Sequence, residues 1–452
     1  MERGQATRPR RGDELELQID RLAYGGAGVA RANGYVVFVR DAVPGDRVRA
    51  RVTRSRRSFA EADSVELLEP SPVRVEPVAP HPGAPWQVLP YERQLGEKEA
   101  QVRDALERLG GFESPPVEPI LSADQRLGYR NKVEYSFGAD EDGELVLGFH
   151  RRGRFDVIDD VSRDILASDR VDAVREAVKA WCRAEGLSAW DRRTQSGLLR
   201  NLVVREGRRT GRLQARLVTS PRATFRASEL AAATPADSVL WTRAASVAET
   251  TREGETERVK GPLALEEKLS GLTFRISPDA FFQTNTEMAE RLYGTAGELA
   301  GLTGRERVLD LFCGIGTIAL VLALDAGEVF GVELVEQAVA DAIENARVNG
   351  VDNARFFAGD VRLAMRPLLE RSGKPDVVVV DPPRAGLSQK VVRRVLEAEA
   401  KRIVYVSCNP TTLAPNARQM VDAGYRLRTV RPVDMFPQTP HIECVALLER
   451  EG

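Results

Sequence analysis

Arg307-Val308-Leu309-Asp310-Leu311-Phe312-Cys313-Gly314-Ile315-Gly316 is the segment from which the architecture of this chain can be inferred first. An apolar run that ends in a glycine-rich turn is typical of the first strand of a doubly wound α/β sheet. Further apolar runs follow at residues 328–333, 355–357, 377–381 and 402–406, with room for a helix between each pair. Strands of this kind predict a parallel sheet covered by helices on both faces, which is a Rossmann-like α/β domain.

The two ends of this domain carry different patterns. Strands at 426–430 and 442–448 close the chain without a helix between them, which predicts an antiparallel hairpin on the sheet edge. Upstream, short strands predominate from about residue 120 to 261, with one helix at 168–184. We therefore expect a central, sheet-rich α+β domain before the α/β domain.

The N-terminal part has the pattern of a small β-barrel. Alternating strands at 15–19, 35–39 and 46–52 are separated by Gly-Gly, Asn-Gly and Pro-Gly-Asp turns. A proline-rich linker and a helix at 92–109 follow. The predicted domains are an OB-like barrel at 1–72, a central domain at 73–270 that includes the linker and this helix, and an α/β domain at 271–452.

Composition narrows the classes of function. The chain has 452 residues and a formal net charge of −2, so the whole molecule does not attract polyanions, and any nucleic acid must be bound by local patches. The four cysteines, Cys182, Cys313, Cys408 and Cys444, form no paired motif, which argues against a disulfide framework or a cysteine zinc site. We expect a cytoplasmic protein with no membrane partner, because the longest apolar run is too short to span a bilayer.

A basic stripe marks the barrel. Arg47, Arg49 and Arg51 alternate along one predicted strand, and Arg54, Arg56 and Arg57 continue the run without an acid between them. Such a stripe predicts contacts with RNA phosphates. The alternative is a charged edge strand that only resists aggregation.

The glycine turn has the features of a nucleoside-cofactor loop. Gly314 and Gly316 let backbone N–H groups approach a ligand, and Glu333, at the end of the next strand, can accept hydrogen bonds from ribose hydroxyls. Asp360 and Asp381 end two further strands at the same sheet edge. A Gly-x-Gly-x-x-Ala pattern also suits a nicotinamide dinucleotide, and a purely structural turn is a third reading. The combined set of acids resembles the class I S-adenosylmethionine-dependent methyltransferases.

A thiol follows the 402–406 strand. Cys408 precedes Asn409-Pro410, which we expect to hold the turn and to keep a helix from starting at once. A thiol beside a methyl donor suits alkylation of a pyrimidine: thiolate addition at C6 makes C5 nucleophilic, and a base then removes the C5 proton. Arg384 can favour the thiolate, and Glu443, a carboxylate in an apolar strand, is the candidate base. The alternatives are a buried apolar cysteine, as expected for Cys182 and Cys313, and a buried ion pair for Glu443.

These segments together resemble the bacterial uracil-C5 RNA methyltransferases of ribosomal and transfer RNA. The likeness covers nearly the whole chain, with the barrel similar to a TRAM domain, and includes Phe-Phe-Gln-Thr-Asn at 281–285, Ser-Cys-Asn-Pro at 407–410 and His-Ile-Glu at 441–443. It implies Cys408 as covalent nucleophile and Glu443 as proton acceptor. The residues implied for binding S-adenosylmethionine are Gln283, Phe312, Gly314, Gly316, Thr317, Glu333, Asp360 and Asp381.

One departure from that family concerns metal. Many ribosomal RNA members carry an iron–sulfur cluster on a C-P-H-x-G-x-C-x-x-C segment, whereas residues 79–88 here read Ala-Pro-His-Pro-Gly-Ala-Pro-Trp-Gln-Val. The later cysteine is also missing from 161–166. No thiolate remains to bind iron, so we predict a cluster-free protein in which Trp86, Val88 and proline packing replace the cluster.

The resemblance also implies the partner. The barrel favours 23S ribosomal RNA, with transfer RNA as the alternative, and residues 128–132 resemble a basic RNA-binding strand with Arg130 and Lys132. The same side chains can instead pack at a domain interface. Other readings are an N-methyltransferase that leaves Cys408 idle and a non-catalytic RNA-binding or ribosome-assembly factor. A monomer is expected.

Overall fold

The N-terminal strands form a curled, six-stranded sheet. The computed structural model describes residues 8–151, 153–221, 224–244, 251 and 254–451. The strand order is β1-β5-β6-β4-β3-β2, and neighbouring strands are antiparallel except for the parallel pair β4 and β6. Alternate side chains such as Val48, Ala50 and Val52 point into the barrel and are buried. The strands are β1 (Glu14–Gln18), β2 (Arg21–Leu22), β3 (Gly28–Ala32), β4 (Tyr35–Arg40), β5 (Arg47–Ser55) and β6 (Phe59–Glu69).

The central part is a seven-stranded sheet of order β13-β12-β11-β10-β7-β8-β9. Helix α2 begins after Ser168, whose hydroxyl accepts a hydrogen bond from the Val171 N–H at 3.3 Å. Val174, Val178 and Cys182 lie on its buried face against the sheet, which agrees with the expected role of Cys182. The elements are β7 (Lys132–Ala139), β8 (Leu145–Arg151), β9 (Arg154–Asp160), α2 (Asp169–Ala184), β10 (Leu199–Gly207), β11 (Arg212–Thr219), α3 (Ala227–Ala233), β12 (Ser238–Ala244) and β13 (Gly254–Lys260).

The C-terminal part contains the parallel sheet. Its order is β18-β17-β16-β19-β20-β22-β21, and only β22 runs antiparallel to its neighbours. The elements are β14 (Leu265–Leu269), β15 (Leu272–Ile276), α4 (Thr286–Ala300), β16 (Arg307–Leu311), α5 (Thr317–Ala323), β17 (Glu328–Glu333), α6 (Glu336–Asn349), β18 (Ala354–Ala358), α7 (Val361–Ser372), β19 (Val377–Val380), α8 (Gln389–Glu397), β20 (Arg402–Ser407), α9 (Pro410–Asp422), β21 (Tyr425–Val433) and β22 (Glu443–Arg450).

The final two strands form the predicted antiparallel hairpin at the edge of the sheet, with β21 as its outer strand. β22 does not lie at the edge of the sheet; it lies between β20 and β21, so that Ser407 faces Cys444 and Val433 faces Glu443. The side chains of β22 are apolar and buried on both faces, which favours an interior position. Because β22 is antiparallel, its first residue, Glu443, lies at the carboxyl edge of the parallel strands.

Helix α1 (Tyr91–Arg108) packs on the C-terminal sheet, although the sequence-based division assigned it to the central domain. Its residues Val102, Ala105 and Leu106 share an apolar cluster with residues of β19 and β20. The chain then continues alongside β21, where residues 117 and 121 form parallel bridges to Val430 and Val433. This segment covers an otherwise open sheet edge. The domain limits 1–72, 73–270 and 271–452 stay a prediction.

The segment aligned with the iron–sulfur motif packs in two directions. Trp86 lies in a cluster with Leu22 and Val43 of the barrel, and Val88 packs against it. On the other side, His81 and Asp164 are both buried, and their Nε2 and Oδ1 atoms lie 3.0 Å apart. Within the described ranges, no group of three or more His, Cys, Asp and Glu side chains is arranged to hold a metal ion. None of the described helices combines the length and apolar character needed to cross a bilayer.

Candidate active site

A cavity of about 920 Å³ lies at the carboxyl edge of the parallel sheet. Side chains from the central sheet reach it as well as those of the C-terminal part. Of the predicted site residues, those that line this cavity are Arg130, Lys132, Gln283, Phe312, Gly314, Glu333, Asp360, Asp381, Cys408 and Glu443. The described lining does not include Gly316 or Thr317. This edge is where ligands of α/β sheets bind, because loops from several strands meet there.

The glycine loop has two glycines with different surroundings. Gly314 adopts φ +55°, and a Cβ atom built on it meets no other atom within 4 Å, so its missing side chain leaves space in the cavity. Gly316 adopts φ +83°, and its Cβ would lie 3.0 Å from Cζ of Phe356 and 3.1 Å from Cβ of Ala342. Gly314 therefore keeps space for a ligand, whereas Gly316 permits close packing of the loop.

Two other residues of this loop are held by the protein itself. Phe312 has φ +68°, an uncommon conformation for an aromatic residue, immediately after β16. Thr317 lies outside the cavity lining, and its hydroxyl is 3.4 Å from the Tyr293 hydroxyl. Strain at Phe312 indicates that the turn is positioned for binding and is maintained by the packing around it.

The acids at the strand ends have distinct environments. Glu333 accepts hydrogen bonds from the backbone N–H groups of Gly314 at 3.1 Å and Val335 at 2.9 Å. Asp360 caps α7, and its hydrogen bonds with Arg362 lower its pKa to about 2. Asp381 lies half-buried in the cavity, and burial raises its pKa to about 7. The sequence analysis did not identify Arg362, because nothing in the local sequence marks it except its position two residues after Asp360.

The turn that carries Cys408 is held on both sides. Asn409 is the N-cap of α9: its side chain accepts a hydrogen bond from the Thr411 N–H at 3.0 Å and donates one to the Arg384 carbonyl at 2.9 Å. The helix begins directly at Pro410, contrary to the expected delay, because proline at the first helical position needs no backbone donor. Asn409 thus ties the Cys408 turn to the loop after β19.

The charged groups around the Cys408 thiol shift its pKa in opposite directions. Burial, together with the charges of Glu443 and Asp381, raises the pKa of Cys408 to about 12, although Arg384 acts in the opposite direction. The pKa of Glu443 is also well above its ordinary value because of burial and Asp381, and Arg384 again acts in the opposite direction. Arg384 therefore has the predicted effect on the thiol, but burial outweighs it.

The loop from residue 434 to 442 completes the wall. Phe436 and His441 line the cavity, and Nδ1 of His441 lies 3.4 Å from Nη2 of Arg384. Burial lowers the pKa of His441 to about 4, so the imidazole is neutral at pH 7. Buried Lys98 of α1 pairs with Asp434 and donates to the Phe436 carbonyl at 3.0 Å. No local sequence pattern indicates that α1 supports this loop or that Phe436 lines the cavity.

The predicted arginines of the barrel lie outside this cavity. Arg47 pairs with Glu16 at 2.9 Å and Glu69 at 2.6 Å, and Arg49 pairs with Glu66. Arg54 lies 3.7 Å from Glu61. Acids from neighbouring strands thus balance much of the stripe. Arg56 and Arg57 are exposed in the turn between β5 and β6.

Comparison with protein families finds two matches along the chain. Residues 8–65 match the TRAM domain, and residues 248–451 match the family described as tRNA (uracil-5-)-methyltransferase. An uncharacterized RNA methyltransferase of Chlorobaculum tepidum is 40% identical over 99% of this chain and 98% of its own length. Another from Bacteroides thetaiotaomicron is 38% identical over 95% of this chain and 100% of its own.

Among solved structures, the Pyrococcus abyssi tRNA (uracil-54, C5)-methyltransferase in complex with S-adenosyl-L-homocysteine is similar throughout. The TM-score is 0.79 at 30% identity, and the match covers 96% of this chain and 100% of that one. The architecture is thus a class I methyltransferase domain with an N-terminal TRAM barrel and a central α+β domain. The chain belongs to the S-adenosylmethionine-dependent RNA (uracil-5)-methyltransferase family.

Proposed function

We propose that this enzyme methylates C5 of a uridine in RNA through a covalent bond between Cys408 and C6 of the base. The observation that carries the proposal is that one cavity holds the Cys408 thiol, the Glu443 carboxyl group and the glycine loop with its acids. An enzyme that methylates a nitrogen would have no use for a thiol at this position. Arg130 and Lys132, which we propose as RNA contacts, line the same cavity.

The residues present suit S-adenosylmethionine. Gly314 leaves open space, Glu333 offers a carboxylate at the end of β17, and Asp381 lies in the cavity without a hydrogen-bond partner among the described side chains. We propose that these residues hold the cofactor with Gln283, Phe312 and Asp360, and that Gly316 and Thr317 act by shaping the loop. When bound, the cofactor supplies an electrophilic methyl group.

The protein groups then have defined roles. Once the Cys408 thiol has lost its proton to water, its thiolate adds to C6, which places negative charge on C5 and O4 and makes C5 the nucleophile for the methyl group. Glu443 takes the C5 proton, and the electron pair of that C–H bond re-forms the C5–C6 double bond as the sulfur leaves. Arg384 favours the anionic forms of both Cys408 and Glu443, as its effects on their pKa values indicate.

For the RNA, we propose 23S ribosomal RNA first and transfer RNA second. The TRAM barrel supports the first choice by analogy. The Pyrococcus abyssi enzyme supports the second, because it is a tRNA (uracil-54, C5)-methyltransferase and its match spans 96% of this chain, most of the barrel included. The barrel therefore does not separate the two substrates by itself. A monomer in the cytoplasm remains our proposal for the state of the enzyme.

Nucleoside mass spectrometry of ribosomal and transfer RNA from a deletion strain tests the substrate. We expect 5-methyluridine to disappear from one position of 23S ribosomal RNA and to return when the wild-type gene is restored. Loss from transfer RNA alone would reverse our order of substrates. An unchanged 5-methyluridine content in both RNAs would contradict the proposed function.

The covalent step is tested with RNA that contains 5-fluorouridine, because fluorine at C5 cannot leave as a proton. Wild-type protein should form an adduct that survives denaturation. Cys408→Ala should form none and lose on the order of 10⁴-fold or more in kcat. Cys182→Ala, which removes a thiol buried between α2 and the central sheet, should behave like wild type. Methylation by Cys408→Ala at the wild-type rate would refute the mechanism.

A further inference from the structure

The barrel contacts the turn that carries Cys408 through the loop between β2 and β3, residues 23–27. The Tyr24 hydroxyl donates a hydrogen bond to the backbone carbonyl of Cys408 at 3.3 Å, although the two residues are 384 positions apart in the chain. The Tyr24 side chain is half-buried and packs against the apolar cluster of the C-terminal sheet. A residue of the RNA-binding barrel thus contacts the turn that carries the nucleophile.

The contacted carbonyl is available because of where α9 begins. Asn409 is the N-cap, so the first carbonyl that accepts a hydrogen bond inside the helix is that of Asn409, and the Cys408 carbonyl precedes it. Among the hydrogen bonds of the described residues, the one made to the Cys408 carbonyl comes from Tyr24. The peptide between Cys408 and Asn409 is therefore held at its carbonyl by a donor from the barrel and at its N–H by the Ser407 hydroxyl, which accepts a hydrogen bond from Asn409 at 3.2 Å.

The same loop also touches the segment before Glu443. Gly26 adopts φ +90°, and a Cβ atom on it would lie 2.8 Å from Cβ of Pro440. The loop is internally fixed, because the Ala23 N–H donates to the Ala27 carbonyl at 2.8 Å and the Gly26 N–H to the Ala23 carbonyl at 2.9 Å. A compact loop of the barrel consequently bridges the two segments that carry the proposed nucleophile and base.

The surroundings keep the Tyr24 hydroxyl in its donor form. Burial raises the pKa of Tyr24 even though the nearby Arg384 guanidinium acts in the opposite direction. The phenol is therefore protonated across the pH range in which the enzyme works. Its ring and hydroxyl are thus suited to hold the turn by packing and by one hydrogen bond.

We propose that Tyr24 is a positioning residue for catalysis, which orients the Cys408 turn so that the barrel completes the active site in addition to binding RNA. The inference rests on the proposed role of Cys408. It predicts that the contact affects the rate of the covalent step once RNA is bound, and that it affects the affinity for RNA little. Catalytic hydrogen bonds that are long in the free enzyme shorten when substrate is present, so 3.3 Å is a reasonable starting geometry.

The test compares Tyr24→Phe with Tyr425→Phe in the full-length enzyme. Both changes remove one hydroxyl group that donates to a backbone carbonyl. The Tyr425 hydroxyl, however, donates to the Ala400 carbonyl at 2.8 Å, at the amino-terminal ends of the parallel strands and away from the cavity. We expect Tyr24→Phe to lower kcat and the rate of adduct formation on 5-fluorouridine RNA by about fivefold to tenfold, as expected for one hydrogen bond. The KM for RNA should change less than about twofold. Tyr425→Phe should leave kcat within about twofold of wild type.

A kcat equal to wild type in Tyr24→Phe, or a rise in the KM for RNA alone, would overturn the inference and leave the barrel as an RNA tether. If the wild-type protein itself forms no adduct, the proposed function fails, and the inference is judged by alkylation of Cys408 with iodoacetamide followed by mass spectrometry. In that assay the alkylation rate should change at least about threefold in Tyr24→Phe and not in Tyr425→Phe. Equal rates in all three proteins would overturn it.

Discussion

Three acidic groups and one cation meet around a single reacting position. Cys408, Glu443 and Asp381 each have a raised pKa, chiefly because burial disfavours their charged forms. Arg384 is exposed at the cavity edge and opposes this effect for the first two groups. The free site therefore favours neutral side chains, and its charged forms become favourable when a positively charged ligand enters.

This arrangement predicts a pH-dependent stability. The pKa of Asp381 is about 7 in the folded protein, whereas an unfolded aspartate has a pKa of about 3.9. The folded state therefore binds this proton more tightly, and the resulting stability is present below about pH 4 and is lost as the pH rises through 7. In the absence of cofactor, Asp381→Asn should raise the free energy of unfolding at pH 8 by on the order of 4 kcal/mol at most and change it little at pH 4. Chemical denaturation at several pH values measures the difference.

Asp376 provides a control of opposite sign. Although burial alone would raise its pKa, hydrogen bonds from the Arg307 N–H and from Lys401 lower it. Asp376→Asn should therefore lose stability at pH 8, where the aspartate is charged and bonded in the folded protein. If wild type and Asp381→Asn lost stability in parallel between pH 4 and 8, the assigned environment of Asp381 would be wrong.

At the scale of elements, the two glycines of the loop between β16 and α5 have different functions. Gly314 leaves space in the cavity, and Gly316 permits close packing. Gly314→Ala places a methyl group in the cofactor space of the cavity, at the cost of about 1 kcal/mol for its left-handed backbone. We expect the Kd for S-adenosylmethionine to rise at least about tenfold while the Tm falls little. Isothermal titration calorimetry and thermal unfolding measure the two effects.

Gly316→Ala should show the reverse balance. Its methyl group would contact Phe356 and Ala342, so we expect a loss of about 1–3 kcal/mol in the free energy of unfolding from overpacking. Binding of S-adenosylmethionine to the fraction that folds should be affected less than in Gly314→Ala. Equal losses of affinity and stability in the two variants would contradict the different surroundings of these glycines.

Local sequence patterns identified the strands of the sheet, but they do not determine which distant strands pair. The apolar strand before Gly314 and the turn after it are encoded within ten residues, so the strand and its glycine turn could be predicted. The place of β22 depends on which strands bury its two apolar faces, and that is decided by contacts along the whole sheet. Asn409-Pro410 was misinterpreted because the same dipeptide can delay a helix or begin one.

At the scale of the whole molecule, three parts of the chain meet near the Cys408 turn. Arg130 and Lys132 of the central part line the cavity, and Tyr24 of the barrel contacts the Cys408 carbonyl. No local pattern marks Tyr24, because its partner is far away in the sequence. The arginine stripe was interpreted without its partners for the same reason, since the acids that pair with Arg47 and Arg49 lie on β1 and β6.

The barrel registers place Arg56 and Arg57 at the end of β4 that is remote from the Tyr24 loop. Gly28 faces Val39, near the Tyr24 loop, whereas Phe59 faces Val36 at the other end of β4, about 10 Å of strand away. We therefore predict that these two arginines contact RNA that flanks the modified uridine. Their contacts can contribute affinity without touching the reacting base.

Salt dependence of RNA binding tests this assignment. Arg56→Gln/Arg57→Gln should weaken binding and reduce the slope of log Kobs against log salt by about 1.4, because each single-strand phosphate contact contributes about 0.7. Arg47→Gln/Arg49→Gln should change the slope by less than about 0.5, since both arginines are already paired with glutamates. Titrations of labelled RNA at several KCl concentrations give both slopes. The opposite ranking of the two double variants would transfer the RNA contact to the strand face.

The interior position of β22 has a consequence for the order in which the sheet assembles. β22 follows β21 in the chain, yet it lies between β20 and β21 and begins at Glu443. Because the ladder partner of β21 is β22, β21 can join the parallel strands through backbone hydrogen bonds only after β22 has paired with β20. We expect a variant without residues 443–450 to leave β21 unattached to β20 and to lack the carboxyl group that we propose as the base.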